Sequence, residues 1–184
     1  MYISQHAVSG LHSLLIFAFV LIGTACTHSQ APAVRPELSN QQLDEKLQKM
    51  LDFDIPLIGA EEVKKRQGEI VLFDTRERPE YETSHIAGAR HIGYRHFDET
   101  QLADIDKDAP IVLYCSVGYR SEKIGQKLRK AGYQNVYNLY GSIFNWADKG
   151  YPLVNHKGEP TKSLHTYNQR WGRWVERQDI QKVW

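Results

Sequence analysis

The stretch Ile111-Val112-Leu113-Tyr114-Cys115-Ser116-Val117-Gly118-Tyr119-Arg120-Ser121-Glu122 decides the fold. Its first four residues are β-branched, aliphatic or aromatic with no charged member, the pattern of a strand buried on both faces of a parallel sheet. From Ser121 onward, Ile124, Leu128 and Ala131 recur at helical spacing, basic residues gather late, and Gly132 stands where a helix stop is expected. Cys115 to Arg120 is therefore predicted to be a strand-to-helix turn. Such a turn can aim several backbone N–H groups inward as an anion nest, and the positive end of the helix dipole adds to the field at its mouth. Gly118 supplies the positive φ that the ring needs. A thiolate held there, with Arg120 close by, has a pKa below the free-thiol value of about 8.5 and is a ready nucleophile. Its substrate is then an anion, or becomes one. The plain alternative is a small apolar cysteine at a strand end. The order of strand, Cys-x-x-Gly-x-Arg-Ser and well-formed helix argues against that alternative.

The segment Cys115 to Ser121 resembles the active-site loop of rhodanese-like sulfurtransferases. Phe73-Asp74-Thr75-Arg76 with Glu80-Tyr81 is similar to that family's Asp-x-Arg…Glu segment, and His85-Ile86-Ala87-Gly88-Ala89 to its Gly-His-Ile-Pro-Gly-Ala segment. Asn135 to Trp146 is similar to its closing Leu-x-Gly-Gly…Trp stretch. The chain departs from the pattern at Ser84 in place of Gly, Ala87 in place of Pro and Ser142 in place of the second Gly; these alter turns and leave the loop intact. The resemblance spans about Ile55 to Leu153. It implies an α/β fold with a central, mostly parallel five-stranded sheet flanked by helices. It further implies Cys115 as the catalytic residue, with Ser116, Val117, Gly118, Tyr119, Arg120 and Ser121 as the substrate-binding loop. Asp74 would help order that loop, Arg76 and Glu80 would pair structurally, and no metal or organic cofactor would be required.

Outward from the loop, the organisation is that of one α/β domain. Short strands at Leu57-Ile58, Ile70 to Phe73 and Val136 to Leu139 alternate with helical patterns, without repeats. Asp74 ends its strand on the carboxyl side, where acids in such sheets face the site, although a cap or turn role fits it nearly as well. Ser39-Asn40 can cap a helix that puts Leu43, Leu47, Met50 and Leu51 on one face. The domain is assigned to residues 39–154. Residues 155–184, with Trp171, Trp174 and Trp184 among many charges, are expected to fold back on it; an amphipathic helix on a membrane or partner is the competing reading. His85, His91 and His96 match no common metal-ligand spacing.

Residues 1–26 are of another kind. Leu11 to Ile22 is strongly apolar but too short to span a bilayer, and it fits a signal-peptide core. Gly23-Thr24-Ala25-Cys26 suggests the cleavage box of a bacterial lipoprotein, with Cys26 acylated, although Gly23 replaces the usual Leu and the leader lacks Lys and Arg. Cleavage after Ala25 or Ala31, or an uncleaved anchor, are the alternatives. Residues 27–38, rich in Ala, Pro, Ser and Gln, read as a linker. An exported, periplasmic domain follows, tethered by lipid if Cys26 is modified. The chain has two cysteines, so Cys115 would be the sole thiol of that domain and could form no internal disulfide.

With 23 basic and 22 acidic residues and no basic block outside the tail, nucleic acid is not an implied partner. The leading expectation is sulfane-sulfur transfer through a Cys115 persulfide, from thiosulfate or another anionic or persulfide donor to a thiol acceptor. A persulfide carrier without useful turnover is the second. Phosphatase or arsenate-reductase chemistry is the third, disfavoured because Cys-x5-Arg phosphatases place Arg one position further from the cysteine to make room for a phosphoryl group.

Overall fold

The structure is a computed structural model that describes Met1 and residues 35–184. The expected signal peptide, Cys26 and most of the linker lie outside the described residues. Among the described residues, ten strands and six helices run in the order α1 (Gln41–Gln48), β1 (Leu57–Ile58), α2 (Ala60–Lys65), β2 (Val71–Asp74), α3 (Arg78–Thr83), β3 (His85–Ile86) and β4 (Arg90–His91). A 3-10 turn at Glu99–Leu102 precedes β5 (Ile111–Tyr114), α4 (Tyr119–Lys130), β6 (Val136–Leu139) and α5 (Ser142–Asp148). The chain closes with β7 (Leu153–Val154), β8 (Pro160–Thr161), β9 (Ser163–His165), α6 (Gln169–Gly172) and β10 (Gln181–Val183).

The central sheet has five strands in the order β1-β6-β5-β2-β4, and every pairing within it is parallel. β5 is the middle strand, and all four of its residues have no solvent exposure. Alternate side chains of a strand point to opposite faces, so this one strand feeds two cores. Val112 and Tyr114 join Leu43, Leu47 and Val63 from α1 and α2, together with Phe144 and Trp146 of α5. Ile111 and Leu113 join Phe73, Ile124, Leu128 and Leu102 on the other face. The five-stranded parallel sheet between helical layers matches the sequence expectation. The second strand starts at Val71 rather than Ile70, and α4 starts at Tyr119 rather than Ser121. Tyr119 and Arg120 are therefore the first residues of the helix, because Gly118 already makes the turn.

Two smaller sheets complete the molecule. β3, β7 and β8 pair antiparallel, and β9 pairs parallel with β10. Leu164 and Val175 are buried in the first core, with Trp171, Trp174 and Ile180 packed against it. The tail contains a helix of only four residues, α6, rather than the amphipathic helix weighed as an alternative. Among the described residues, no helix is long and apolar enough to cross a membrane.

Candidate active site

The end of β5 delivers Cys115 to the floor of a cavity of about 280 Å³. The turn that follows is held in three ways. Gly118 takes φ 121°, a region that side-chain-bearing residues avoid. Asn138, buried in β6, donates from Nδ2 to the Gly118 carbonyl at 3.0 Å and accepts the Ser121 hydroxyl on Oδ1 at 2.8 Å. Ser142, at φ 50°, accepts the Cys115 N–H on Oγ at 3.2 Å and donates to Leu139 at 3.1 Å. The position at which the chain departs from the glycine of the resemblance thus holds the backbone of the cysteine itself.

The Cys115 Sγ accepts the Gly118 N–H at 3.1 Å. Burial alone would push this thiol up. The charge of Arg120 and the N–H groups of Ser121, Gly118 and Val117 outweigh it, and the net shift is downward. All of these groups favour the thiolate, which is the nucleophilic form. Cys115 is only 1% exposed, so a reactant reaches its sulfur through the cavity.

Glu80 organises the charges behind the loop. Its carboxylate accepts Arg120 Nη1 on Oε2 and Nη2 on Oε1, both at 2.7 Å, and takes the Glu77 N–H at 3.0 Å. Ser116 Oγ donates to Glu80 at 3.3 Å and accepts Arg120 Nη2 at 3.0 Å. Burial works to raise the Glu80 pKa, but the bonds to Arg120 and the charge of Arg76 prevail and hold it below the usual value. Arg76, fully buried, is forked instead onto Asp74, with Nη2 at 2.6 Å and Nε at 3.0 Å and 3.1 Å from its oxygens. Its Nη2 also donates to the Ser84 carbonyl at 2.6 Å. The pairing implied by the resemblance is therefore corrected. Arg76 pairs with Asp74 two residues away, and Glu80 pairs with Arg120, because α3 runs beneath the loop and offers Glu80 to it. Both Arg120 amino groups bond to Glu80, and Arg120 lines the cavity and acts on Cys115 through its charge.

The family model of the rhodanese-like domain matches residues 59–149. A thiosulfate sulfurtransferase of Coxiella burnetii is 37% identical over 84 residues, which span 46% of this chain and 76% of the relative. This chain belongs to the rhodanese-like family. A Bacillus subtilis relative, YqhL, is 37% identical over 92 residues, covering 50% of this chain and 72% of its own. A tRNA uridine(34) hydroxylase of an aster yellows phytoplasma is 33% identical over 119 residues, but only 39% of that protein is spanned. The solved rhodanese-like domain of an Anabaena protein superposes with TM-score 0.51 at 24% identity, covering 54% of this chain and 79% of that one. At that identity the likeness speaks for the fold.

Within this rhodanese-like domain the structure brings Cys115, Ser116, Val117, Tyr119 and Arg120 to one cavity wall, with Gly118 bonded to the sulfur and Ser121 fastened behind it. Asp74 and Arg76 stand apart from the sulfur as a buried brace: the Thr75 N–H and hydroxyl both bond to the Tyr114 carbonyl, at 2.9 Å and 3.0 Å, on the strand that carries the loop. His85 and His91 each bond a ring nitrogen to a backbone carbonyl, those of Tyr81 at 3.0 Å and Arg76 at 2.8 Å. Asn138 and Ser142 were not singled out as site residues in the sequence. Asn138 had a signal, a lone amide inside the otherwise apolar strand Val136-Tyr137-Asn138-Leu139. The cavity also takes Met50, Tyr94, Arg95, Tyr167 and Trp171. Of these, Met50, Tyr167 and Trp171 fall outside the residues that match the family.

Proposed function

We propose that this chain is a rhodanese-type sulfurtransferase that works through a Cys115 persulfide. The observation that carries the reading is the Cys115 sulfur on the floor of an open cavity, bonded by the Gly118 N–H and held toward the thiolate by Arg120 and the loop amides. The thiolate attacks the outer sulfur of a sulfane donor, thiosulfate or an organic equivalent. The donor's sulfur–sulfur bond breaks and its remainder leaves as an anion, so that charge is conserved and no proton need move. The new outer sulfur carries the negative charge, which the loop N–H groups stabilise. A thiol or other thiophilic acceptor then removes that sulfur, and Cys115 departs as thiolate to close the cycle.

Incubating the full chain with a sulfane donor and recording its intact mass tests this. A gain of one sulfur atom that cyanide removes, and that Cys115→Ser lacks, is the expected result. Absence of the adduct with every sulfane donor would overturn it.

For the leader we propose export, with the domain tethered on the periplasmic side by an acylated Cys26. The support is the apolar run ending in Thr24-Ala25-Cys26. Labelled palmitate should enter the wild-type chain and be lost in Cys26→Ala; labelling that persists in the variant refutes the anchor.

A further inference from the structure

Resting on the persulfide reading, we infer that the C-terminal extension selects the donor: Tyr167 and Trp171 form an aromatic wall of the Cys115 cavity that takes an organic sulfane donor with a flat apolar body in preference to one with a small body.

Three observations meet at this wall. The first is its placement. Both aromatics line the same cavity as Cys115, and both come from residues beyond those that match the family. Met50, from the turn after α1, lines it too, a soft apolar side chain that adapts to the shape of its neighbour. The second is how firmly the wall is held. The Tyr167 backbone sits at φ 67°, and its N–H donates to His165 Nδ1 at 3.1 Å. The Trp171 N–H donates to Asn168 Oδ1 at 3.0 Å, the indole packs against the core, and Lys46 Nζ lies 5.6 Å from its ring centre. A wall so fixed loses little freedom when it meets a ligand. Tyr167 is nonetheless 50% exposed, which leaves apolar ring surface for a guest to cover.

The third is charge. A dianion such as thiosulfate is held best by cations with no carboxylate beside them. Arg120 has both amino groups on Glu80, and the Tyr167 ring lies over its guanidinium at 5.6 Å. Arg95 lines the cavity as well, but Glu77 lies 3.9 Å from it and lines the cavity too. Each cavity arginine thus has a carboxylate beside it, and the aromatic rings add apolar surface. An organic thiosulfonate fits this balance. Its single charge is close to the sulfane sulfur, and its organic group extends toward Tyr167 and Trp171. Attack by Cys115 breaks its sulfur–sulfur bond, forms the Cys115 persulfide and releases a sulfinate anion.

The test compares two donors that differ only in that group, methanethiosulfonate and benzenethiosulfonate, in single-turnover persulfide formation by the full chain. Their ratio with free cysteine removes intrinsic reactivity. Burying a ring in place of a methyl group against apolar surface corresponds to a preference of roughly tenfold or more for the benzene donor. Tyr167→Ala and Trp171→Leu should each cut that preference at least threefold, chiefly through the donor concentration at half-maximal rate, whereas Tyr167→Phe should keep it. Trp184→Ala, at the exposed end of the tail and outside the cavity, serves as control and should keep it also. A wild-type ratio equal to that of free cysteine, or a ratio unmoved in folded Tyr167→Ala and Trp171→Leu, would overturn the aromatic wall while leaving sulfur transfer standing. Failure of both donors to form any adduct would instead overturn the persulfide reading and this inference with it.

Discussion

Arg120 and Glu80 lie forty positions apart in the chain and meet fork to fork, with both of their hydrogen bonds at 2.7 Å. The pair is largely buried, with side-chain exposures of 15% and 3%. It fixes the first turn of α4 against α3, and it also restrains the field that Arg120 exerts on Cys115. Glu80→Gln separates these two effects. Leaving Arg120 without its counter-charge should destabilise the fold by about 3 kcal/mol. The same change should move the Cys115 pKa further down, since less of the guanidinium charge is neutralised. Denaturant unfolding and the pH profile of thiol alkylation, measured on the one variant, check the two signs; a Cys115 pKa that rises would show that Glu80 works chiefly by positioning Arg120.

The pH dependence of the wild-type thiol follows from its downward shift. A depressed pKa means a larger thiolate fraction at a given pH than the thiol would have without Arg120 and the loop amides. Alkylation by iodoacetamide should therefore reach its plateau at lower pH than a cysteine peptide does. Arg120→Gln should shift that profile back upward, because the largest favourable influence on the thiolate is then gone.

Glu80 also gives the fold an acid limit. Its folded pKa lies below the ordinary value of 4.5. The stabilisation it gives is therefore fully present above about pH 4.5 and is lost as pH falls through the folded value. Thermal melts between pH 7 and pH 3 should show a loss in this window that is smaller in Glu80→Gln.

Ser142 allows a comparison of three side chains at one backbone conformation. Ser142→Ala leaves the buried Cys115 N–H without its acceptor while keeping φ 50°, and should cost about 1–3 kcal/mol. Ser142→Gly loses the same acceptor but relieves the left-handed strain, so it should cost about 1 kcal/mol less. Urea midpoints of the three proteins test the order Ser, Gly, Ala.

Removal of residues 155–184 should lower thermal stability. Leu164 and Val175 alone are buried to 0% and 1% exposure, each worth about 2 kcal/mol. For a chain of this size that is a fall of about 10 °C or more in Tm. Calorimetry of the truncated domain against the full chain measures it, and an unchanged midpoint would make the tail an attachment rather than a part of the fold.

The sheet and the cysteine turn were legible because their signals are local. Ile111 to Tyr114 is apolar without interruption, and Ile124 and Leu128 mark a helix within a few residues of it. What escaped depends on side chains meeting across the fold. Nothing in the spacing of Arg76, Glu80 and Arg120 says which acid takes which base, since that depends on how α3 crosses under the loop. Asn138 showed only as a polar residue in a buried strand, and its role became visible once Gly118 lay beside it. Tyr167 and Trp171 sit among charges with no period to follow, so nothing in the tail's sequence points to the cavity it reaches.

Cys115 lies at the bottom of its cavity with almost no surface of its own, and this bears on time as much as on chemistry. On the proposed persulfide reading, a sulfur atom loaded there would leave only to an acceptor that enters the cavity. On that reading the loaded protein would outlast the encounter that charged it, so that loading and unloading need not occur together.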